Sequence, residues 1–214
     1  MVESSISRVS NLRERKKART RRILVDAAVD LCLKQGYHET TVDQICEVAE
    51  ISTRTFNRYF ATKDAVFIAV IDDFAVEIAA ELRAQPPAVG PMESLRAAHA
   101  AVLTRVAKGL TPTLTADRIV LMLKIVYSSD ALRQAAIDYR GGPAMEALAE
   151  KMGVEVGDKR MELAVSLFTT TIVAACSDLV VGTPDVTLGP EAVLERLERT
   201  LGQVAELTAD LKLS

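Results

Sequence analysis

With 214 residues, 49% of them apolar and 26% charged, the chain can bury one large core, or a small one joined to a larger, and it is too apolar for wholesale disorder. Aromatic residues make up only 4% and Trp is absent while Ala and Leu abound, which favours helix over sheet. The net charge of −3 is unevenly spread: residues 1–64 hold 12 Lys and Arg against 9 Asp and Glu, whereas residues 65–214 hold 14 against 20. A basic head on an acidic body suggests that one end meets a polyanion.

Cys32, Cys46 and Cys176 are scattered and lie in apolar stretches, with no C-x-x-C pair or Cys/His cluster beside them. They read as buried, reduced thiols of a cytoplasmic protein, so no disulfide framework, metal site or other cofactor is expected. The charged N-terminus does not read as a secretory signal. Leu163 to Val181 approaches membrane-spanning length, but Ser166, Thr169, Thr170, Thr171, Ser177 and Asp178 would be penalised in hydrocarbon. It reads as a helix buried on most sides within protein.

In chain order, the first feature is a basic arm: Arg8, Arg13, Arg15, Lys16, Lys17, Arg19, Arg21 and Arg22 are opposed only by Glu3 and Glu14. From Ala18 to Gln35, Ile23, Ala27 and Leu31 with Leu24, Ala28 and Cys32 form a helical stripe that ends at Gly36. Thr41-Val42-Asp43-Gln44 is a capping box, in which Thr41 and Gln44 satisfy each other's backbone donors, and a second helix runs to about Ala49. Ser52 caps a third helix to about Tyr59, and Thr62 a fourth that stops at Pro86-Pro87. Further helices are expected at 91–108, 115–128, 130–150, 158–181 and 190–211. Breaks carry Gly109 and Pro112, Gly141-Gly142-Pro143, Gly153 to Gly157, and Gly182 to Pro190. No strand pattern competes, so the expected fold class is all-α.

Residues 42–60 carry the sharpest signal. Two short helices crossing steeply must bury apolar surface between them, and Val42, Ile45, Ala49, Ile51, Phe56 and Tyr59 fall where that contact requires. Cys46 is small where the helices pass closely. Asp43, Gln44, Glu47, Arg54, Asn57 and Arg58 lie between these positions, free to face solvent or DNA. The pattern predicts a helix-turn-helix within an N-terminal DNA-binding domain, residues 1–64, followed by a helical domain, residues 65–214.

Thr40-Thr41-Val42-Asp43-Gln44-Ile45, Ala49-Glu50-Ile51-Ser52-Thr53-Arg54-Thr55-Phe56 and Arg58-Tyr59-Phe60-Ala61-Thr62-Lys63-Asp64 together resemble the DNA-binding domain of TetR-family regulators. The likeness reaches back through Thr20, Ile23, Ala27, Ala28 and Gly36-Tyr37 and covers about the first third of the chain. The resemblance implies an Ω-shaped, all-helical homodimer, with the C-terminal region supplying the ligand pocket and dimer interface. Two positions depart from the family pattern. Glu50 stands where Gly is usual in the turn, so a residue with a Cβ must accept a positive φ, at a cost on the order of 1 kcal/mol. Asn57 stands where Tyr or Phe is usual, and Asn can pair bidentately with adenine in the major groove.

Thr53, Arg54 and Asn57 are therefore candidates for base edges, Arg54 suiting guanine. By resemblance, Thr41, Tyr59 and Lys63 hold phosphates and set register. Arg58 reaches phosphate or an acidic neighbour. Arg13, Arg15, Lys16, Lys17 and Arg19 follow the DNA backbone or enter the minor groove, adding salt-dependent affinity.

In the second half, the run Arg118 to Leu132 and the helix and Gly-rich break after it are similar to regulators grouped with the mycofactocin-system repressor, over roughly 115–181. A pocket is expected between the helices at 91–108, 115–128 and 158–181, lined by His99, Met122, Val126, Tyr127, Phe168, Thr171, Ile172 and Cys176. Each reads first as plain core, because any helical bundle needs such residues. His99 could be a satisfied core histidine or simply exposed. The helices at 158–181 and 190–211 are expected to pair with their copies in a second subunit, with Leu194, Leu197, Leu201, Val204 and Leu207 marking an apolar face on the last. That face could instead pack within one subunit.

The function so implied is a bacterial, ligand-responsive transcriptional regulator of a palindromic double-stranded operator, a repressor released by a small apolar or amphipathic effector. Two recognition helices about 34 Å apart would enter successive major grooves, with the fourth helix as the lever joining the halves. Other classes are a non-specific architectural DNA-binding protein, which needs no acidic pocket-forming domain, and a small all-α enzyme. Against an enzyme, there are only two histidines, and no Glu-x-x-His pair, H-E-x-x-H, P-loop, dinucleotide glycine fingerprint or G-x-S-x-G elbow.

Overall fold

The computed structural model describes residues 3–128, 130–139, 142–180 and 188–209. They form α1 (Glu3–Gln35), α2 (Val42–Val48), α3 (Thr53–Tyr59), α4 (Lys63–Ala84), α5 (Pro91–Ala107), α6 (Ala116–Ser128), α7 (Asp130–Ile137), α8 (Pro143–Met152), α9 (Lys159–Val180) and α10 (Pro190–Ala209). No strand occurs among the described residues, and the fold is all-α. Ser129, Gly141 and 181–187 of the expected last break lie outside the described residues, as do the side chains of Arg8, Glu14 and Asp178.

The chain divides into two compact units, Met1–Val70 and Ile71–Ser214, the division falling inside α4 a little beyond the expected 64/65 boundary. In the first unit α1 starts at Glu3 rather than Ala18. No Gly or Pro interrupts residues 3–35, and Arg, Lys, Leu and Glu are good helix formers, so the basic arm continues the helix instead of trailing from it. The buried stripe of α1 is Leu24, Val25, Ala27, Ala28, Val29 and Cys32. Ile23, expected in that stripe, is 37% exposed, and Leu31 is half-buried. Ile45, Cys46, Ala49 and Phe56 from α2 and α3 are buried, whereas Val42, Ile51 and Tyr59 are only partly covered. Fully burying a side chain the size of Phe56 is worth about 1.5–3 kcal/mol.

Polar groups fix the ends of these helices. Gly36, at φ +87°, closes α1, and its N–H donates to the Cys32 carbonyl at 2.9 Å. The capping box forms: Gln44 N–H donates to Thr41 Oγ1 at 3.3 Å and Thr41 N–H to Gln44 Oε1 at 2.9 Å. After α2, Ile51 N–H reaches the Cys46 carbonyl and Glu50 N–H the Glu47 carbonyl, a Schellman closure with Glu50 at φ +53°. Thus the turn does force a non-glycine residue into the left-handed region, as its sequence predicts.

In the second unit, Ala75, Ile78, Leu82, Leu95, Ala98, Val102, Leu148, Phe168 and Leu197 belong to one apolar core drawn from α4, α5, α8, α9 and α10. Arg118 is buried beside Asp73, 2.9 Å away, and Arg105 spans Glu77 and Glu81, at 3.2 and 2.8 Å, on successive turns of α4. The 130–150 helix of the sequence reading is two helices. Pro143 begins α8, because within a continuous helix its ring would clash with the preceding turn and its missing N–H would break the ladder. Leu197 of the last helix is wholly buried within this unit, Leu194 and Leu201 pack against the core, and Leu207 is 75% exposed. The α9 segment is buried on most sides, yet Leu163, Leu167, Thr170, Ala174 and Ser177 leave one stripe exposed, and Leu163 is 69% exposed. No described helix is long and apolar enough to cross a membrane.

Candidate DNA-reading face and effector cavity

Two groups of side chains stand apart from the packing, one in each unit. In the first, Ser52 caps α3, its hydroxyl oxygen accepting from Thr55 N–H at 3.2 Å. Phe56 anchors the buried side of α3, so Thr53, Arg54, Asn57 and Arg58 remain exposed. Positions 54, 57 and 58 are spaced by three and four residues and share one helix face. Thr53 Oγ1 lies 3.4 Å from Asp43. That face presents a planar cation and a carboxamide, the two groups able to pair bidentately with guanine and adenine edges.

The expected phosphate ligands fall into three environments. Thr41 is exposed at the start of α2, and since its oxygen accepts the cap bond, its O–H proton can still be donated. Tyr59 lies beneath Arg58, whose guanidinium carbon is 5.1 Å from the ring centre. A hydrogen bond from Thr20 holds the Tyr59 phenol below its ordinary pKa, with Arg58 and Lys17 adding to the effect. Lys63 is half-buried and donates to the Tyr37 and Thr40 carbonyls at 2.8 and 2.9 Å, so two of its three donors are engaged within the unit. Its ammonium also lies 4.2 Å from the centre of the Tyr37 ring, and Tyr37 in turn donates to Asp64. Burial and that carboxylate push the Tyr37 phenol up. Arg13, Arg15, Lys16, Lys17 and Arg19 are all exposed on the helical arm.

In the second unit a cavity of about 170 Å³ opens among α4 to α9. Seven of the eight anticipated residues line it: His99, Met122, Val126, Tyr127, Phe168, Ile172 and Cys176. Thr171 does not. Residues 165, 168, 169, 172, 173 and 176 form the cavity face of α9, and position 171 is turned away, with its hydroxyl donating to the Leu167 carbonyl at 2.7 Å. The pocket is expected among α5, α6 and α9, but α4, α7 and α8 also contribute, through Phe74, Ala136 and Met145, and Tyr139 joins them from just beyond α7. Nothing local marks Phe74 or Tyr139. Composition does: residues 71–214 contain only Phe74, Tyr127, Tyr139, Phe168 and one histidine as aromatic side chains, and all five line the cavity.

The polar atoms of this wall are few. His99 Nδ1 lies 2.7 Å from the Leu95 carbonyl, which can only accept, so Nδ1 carries the proton. Burial lowers the His99 pKa to about 4, and the ring is neutral at pH 7. Tyr127 donates to the Val173 carbonyl, and Tyr139 to Asp72 at 2.5 Å. No Lys, Arg, Asp or Glu is among the described lining residues. Cys32, Cys46 and Cys176 are buried thiols outside any disulfide, and no group of His, Cys, Asp or Glu suited to a metal occurs among the described residues.

Residues 24–70 match the family model of bacterial regulatory proteins of the tetR family. The chain is 33% identical over 150 residues to the HTH-type transcriptional regulator TcmR of Streptomyces glaucescens, a match covering 69% of this chain and 66% of that protein, just under two thirds of its length. In fold it is similar to Thermus thermophilus FadR, a TetR-family transcriptional repressor in complex with lauroyl-CoA. There the TM-score is 0.54 and the identity 23%, over 91% of this chain and 96% of that one. The fatty acid degradation regulator FadR of Bacillus halodurans gives 0.48 and 19%, over 86% and 95%. The capped helix pair with its left-handed turn lies inside the matched segment, and residues 24–70 are a TetR-family DNA-binding domain.

Proposed function

We propose that the chain is a ligand-responsive, sequence-specific DNA-binding transcriptional regulator, a repressor released from its operator when a small apolar or amphipathic molecule occupies the cavity of the second unit. The observation that carries this reading is the face of α3, where Arg54 and Asn57 are exposed and side by side on a helix whose opposite side is pinned by Phe56. Base edges are read there by Thr53, Arg54 and Asn57. Phosphates are held by Thr41, Arg58, Tyr59 and the remaining donor of Lys63, with Arg13, Arg15, Lys16, Lys17 and Arg19 as a salt-sensitive arm. A helical arm carries these cations along a rod, a geometry suited to tracking a phosphate strand.

The active species is a homodimer. The exposed stripe Leu163, Leu167, Thr170, Ala174 and Ser177 on α9 repeats at intervals of four and three residues, the spacing of a helix-pairing seam, and supports an isologous contact with a second copy. The α6 run Arg118 to Ser128 supports placing the second unit with the mycofactocin-system repressor group. Release follows from population shift: an effector lowers DNA affinity by its preference for a dimer spaced wrongly for successive major grooves, and by no more than that.

The test is binding to DNA from upstream of the protein's own gene, against scrambled DNA, at two salt concentrations. Arg54→Ala and Asn57→Ala each weaken the specific complex by about 5- to 100-fold, while leaving scrambled DNA unaffected. Equal affinity for both DNAs would instead make the chain an architectural DNA-binding protein.

A further inference from the structure

The aromatic side chains of the second unit are concentrated in one place. Chance placement over 144 residues would not gather all of Phe74, His99, Tyr127, Tyr139 and Phe168 onto a single cavity wall, when the rest of the core is built from Ala, Val, Leu, Ile and Met. Phe74, His99 and Phe168 form a continuous run, with centroids 5.4 Å apart for Phe74 and His99 and 4.7 Å for His99 and Phe168, at tilts of 59° and 49°. Rings held this way offer faces and edges to a further ring, the offset and edge-on contacts that aromatic pairs prefer.

The polar inventory narrows the occupant. Both tyrosine hydroxyl protons are given to acceptors of the protein itself, at Val173 and Asp72. His99 gives its Nδ1 proton to Leu95, which leaves Nε2 as a lone pair on a cavity-lining ring, with no hydrogen-bond partner among the described residues. A lone pair asks for a donor, and Thr169 adds one hydroxyl nearby on the same wall. Arg133, the cation beside Tyr127 at 6.0 Å from its ring centre, is paired with Asp130. A carboxylate or phosphate carried into this wall would lose its hydration without a lining cation to replace it.

We infer that the cavity takes an uncharged, planar aromatic molecule whose hydroxyl donates to Nε2 of His99, in contrast to an anionic or flexible acyl ligand. This deepens the regulator reading and rests on the second unit being its sensing half. Rings supply most of the contact area, and the single hydrogen bond fixes orientation.

The experiment titrates the full chain at pH 7 with three molecules of one shape, phenanthrene, 9-phenanthrol and phenanthrene-9-carboxylate, and with laurate, following direct binding in the absence of DNA. The phenol binds about tenfold more tightly than the hydrocarbon, as one hydrogen bond to an otherwise unsatisfied acceptor provides, and the two anions bind more weakly still. In His99→Leu the hydrocarbon still binds and the phenol loses its advantage, which also shows that the variant is folded. Thr169→Val keeps the order of the three. Tighter binding of the carboxylate or laurate than of the phenol, no binding by any of the four, or a phenol preference that survives His99→Leu would overturn the inference. If laurate both binds best and releases operator DNA, the regulator reading stands and only the ligand class falls. If the phenol ranks first but no operator is bound, the ligand class stands and the regulator reading falls.

Discussion

Thr40, Tyr37 and Lys63 in the first unit give their donors to neighbouring carbonyls and a carboxylate, whereas His99 in the second keeps one ring nitrogen on the wall of an unfilled space. In the first unit, polar bonds close a small core in which Leu24, Ala28, Ile45 and Phe56 are all but inaccessible. The second has the larger core and leaves its centre open among rings. On the proposed function, a helix that reads DNA must be held still to place side chains against base edges, and a sensing domain must retain space for something that is not protein.

Adding and removing atoms should break this contrast if it is wrong. Phe56→Ala is expected to cost about 3–5 kcal/mol, because nothing nearby can fill the hole, while Val126→Phe in the cavity wall is expected to stay within about 1 kcal/mol because its new atoms enter empty space. Urea unfolding of the two variants checks both numbers. Equal losses would mean that the cavity is not there to be filled.

A second, smaller effect sharpens the difference through pH. His99 has its pKa lowered from 6.5 to about 4 by burial, so between these values the unfolded chain binds a proton that the folded chain refuses. The stability that goes with the neutral ring is complete above about pH 6.5, falls as the pH drops, and stops falling below about pH 4. The full loss is on the order of 3 kcal/mol. Urea midpoints of the wild type and His99→Leu, compared from pH 7 to pH 4.5, should diverge in slope; parallel curves would place the imidazole in a solvated setting.

The smallest effect belongs to the turn of the first unit. Glu50→Gly should raise stability by about 1 kcal/mol, by relieving a side chain at φ +53°, whereas Glu47→Gly, one turn earlier inside α2, should lower it by about 0.5–1 kcal/mol. Opposite shifts in thermal midpoint for the same chemical change, three residues apart, are the result to look for.

These regions were also unequally legible from the residues. Thr41, Gln44, Ser52 and Glu50 act on backbone groups within a few positions, so their roles follow from local spacing, and the structure has each in its expected conformation. The early start of α1 is hard to read because residues 3–17 hold only three apolar side chains, Ile6, Val9 and Leu12, too thin a stripe among Ser, Arg and Lys to announce the helix. In the second unit, helical period brings 168, 172 and 176 together, but it could not separate Thr171, one step away, from the cavity face. Phe74 and Tyr139 come from distant elements, and their meeting is decided by tertiary packing that no window of sequence contains. The α9 stripe is also hidden in the sequence, since Leu163 and Leu167 look no different from buried leucines until the fold leaves them outside.

The distribution of tyrosines has a practical side. With no Trp and four tyrosines, two per unit, the chain is naturally sparse in spectroscopic reporters. Grown on fluorotyrosine, it would carry four fluorine nuclei: two beside the cavity, at Tyr127 and Tyr139, and two in the first unit, at Tyr37 and Tyr59. One fluorine spectrum would then follow both ends of the signal at once, so that a ligand's arrival and its consequence for the other unit could be timed against each other in a single sample.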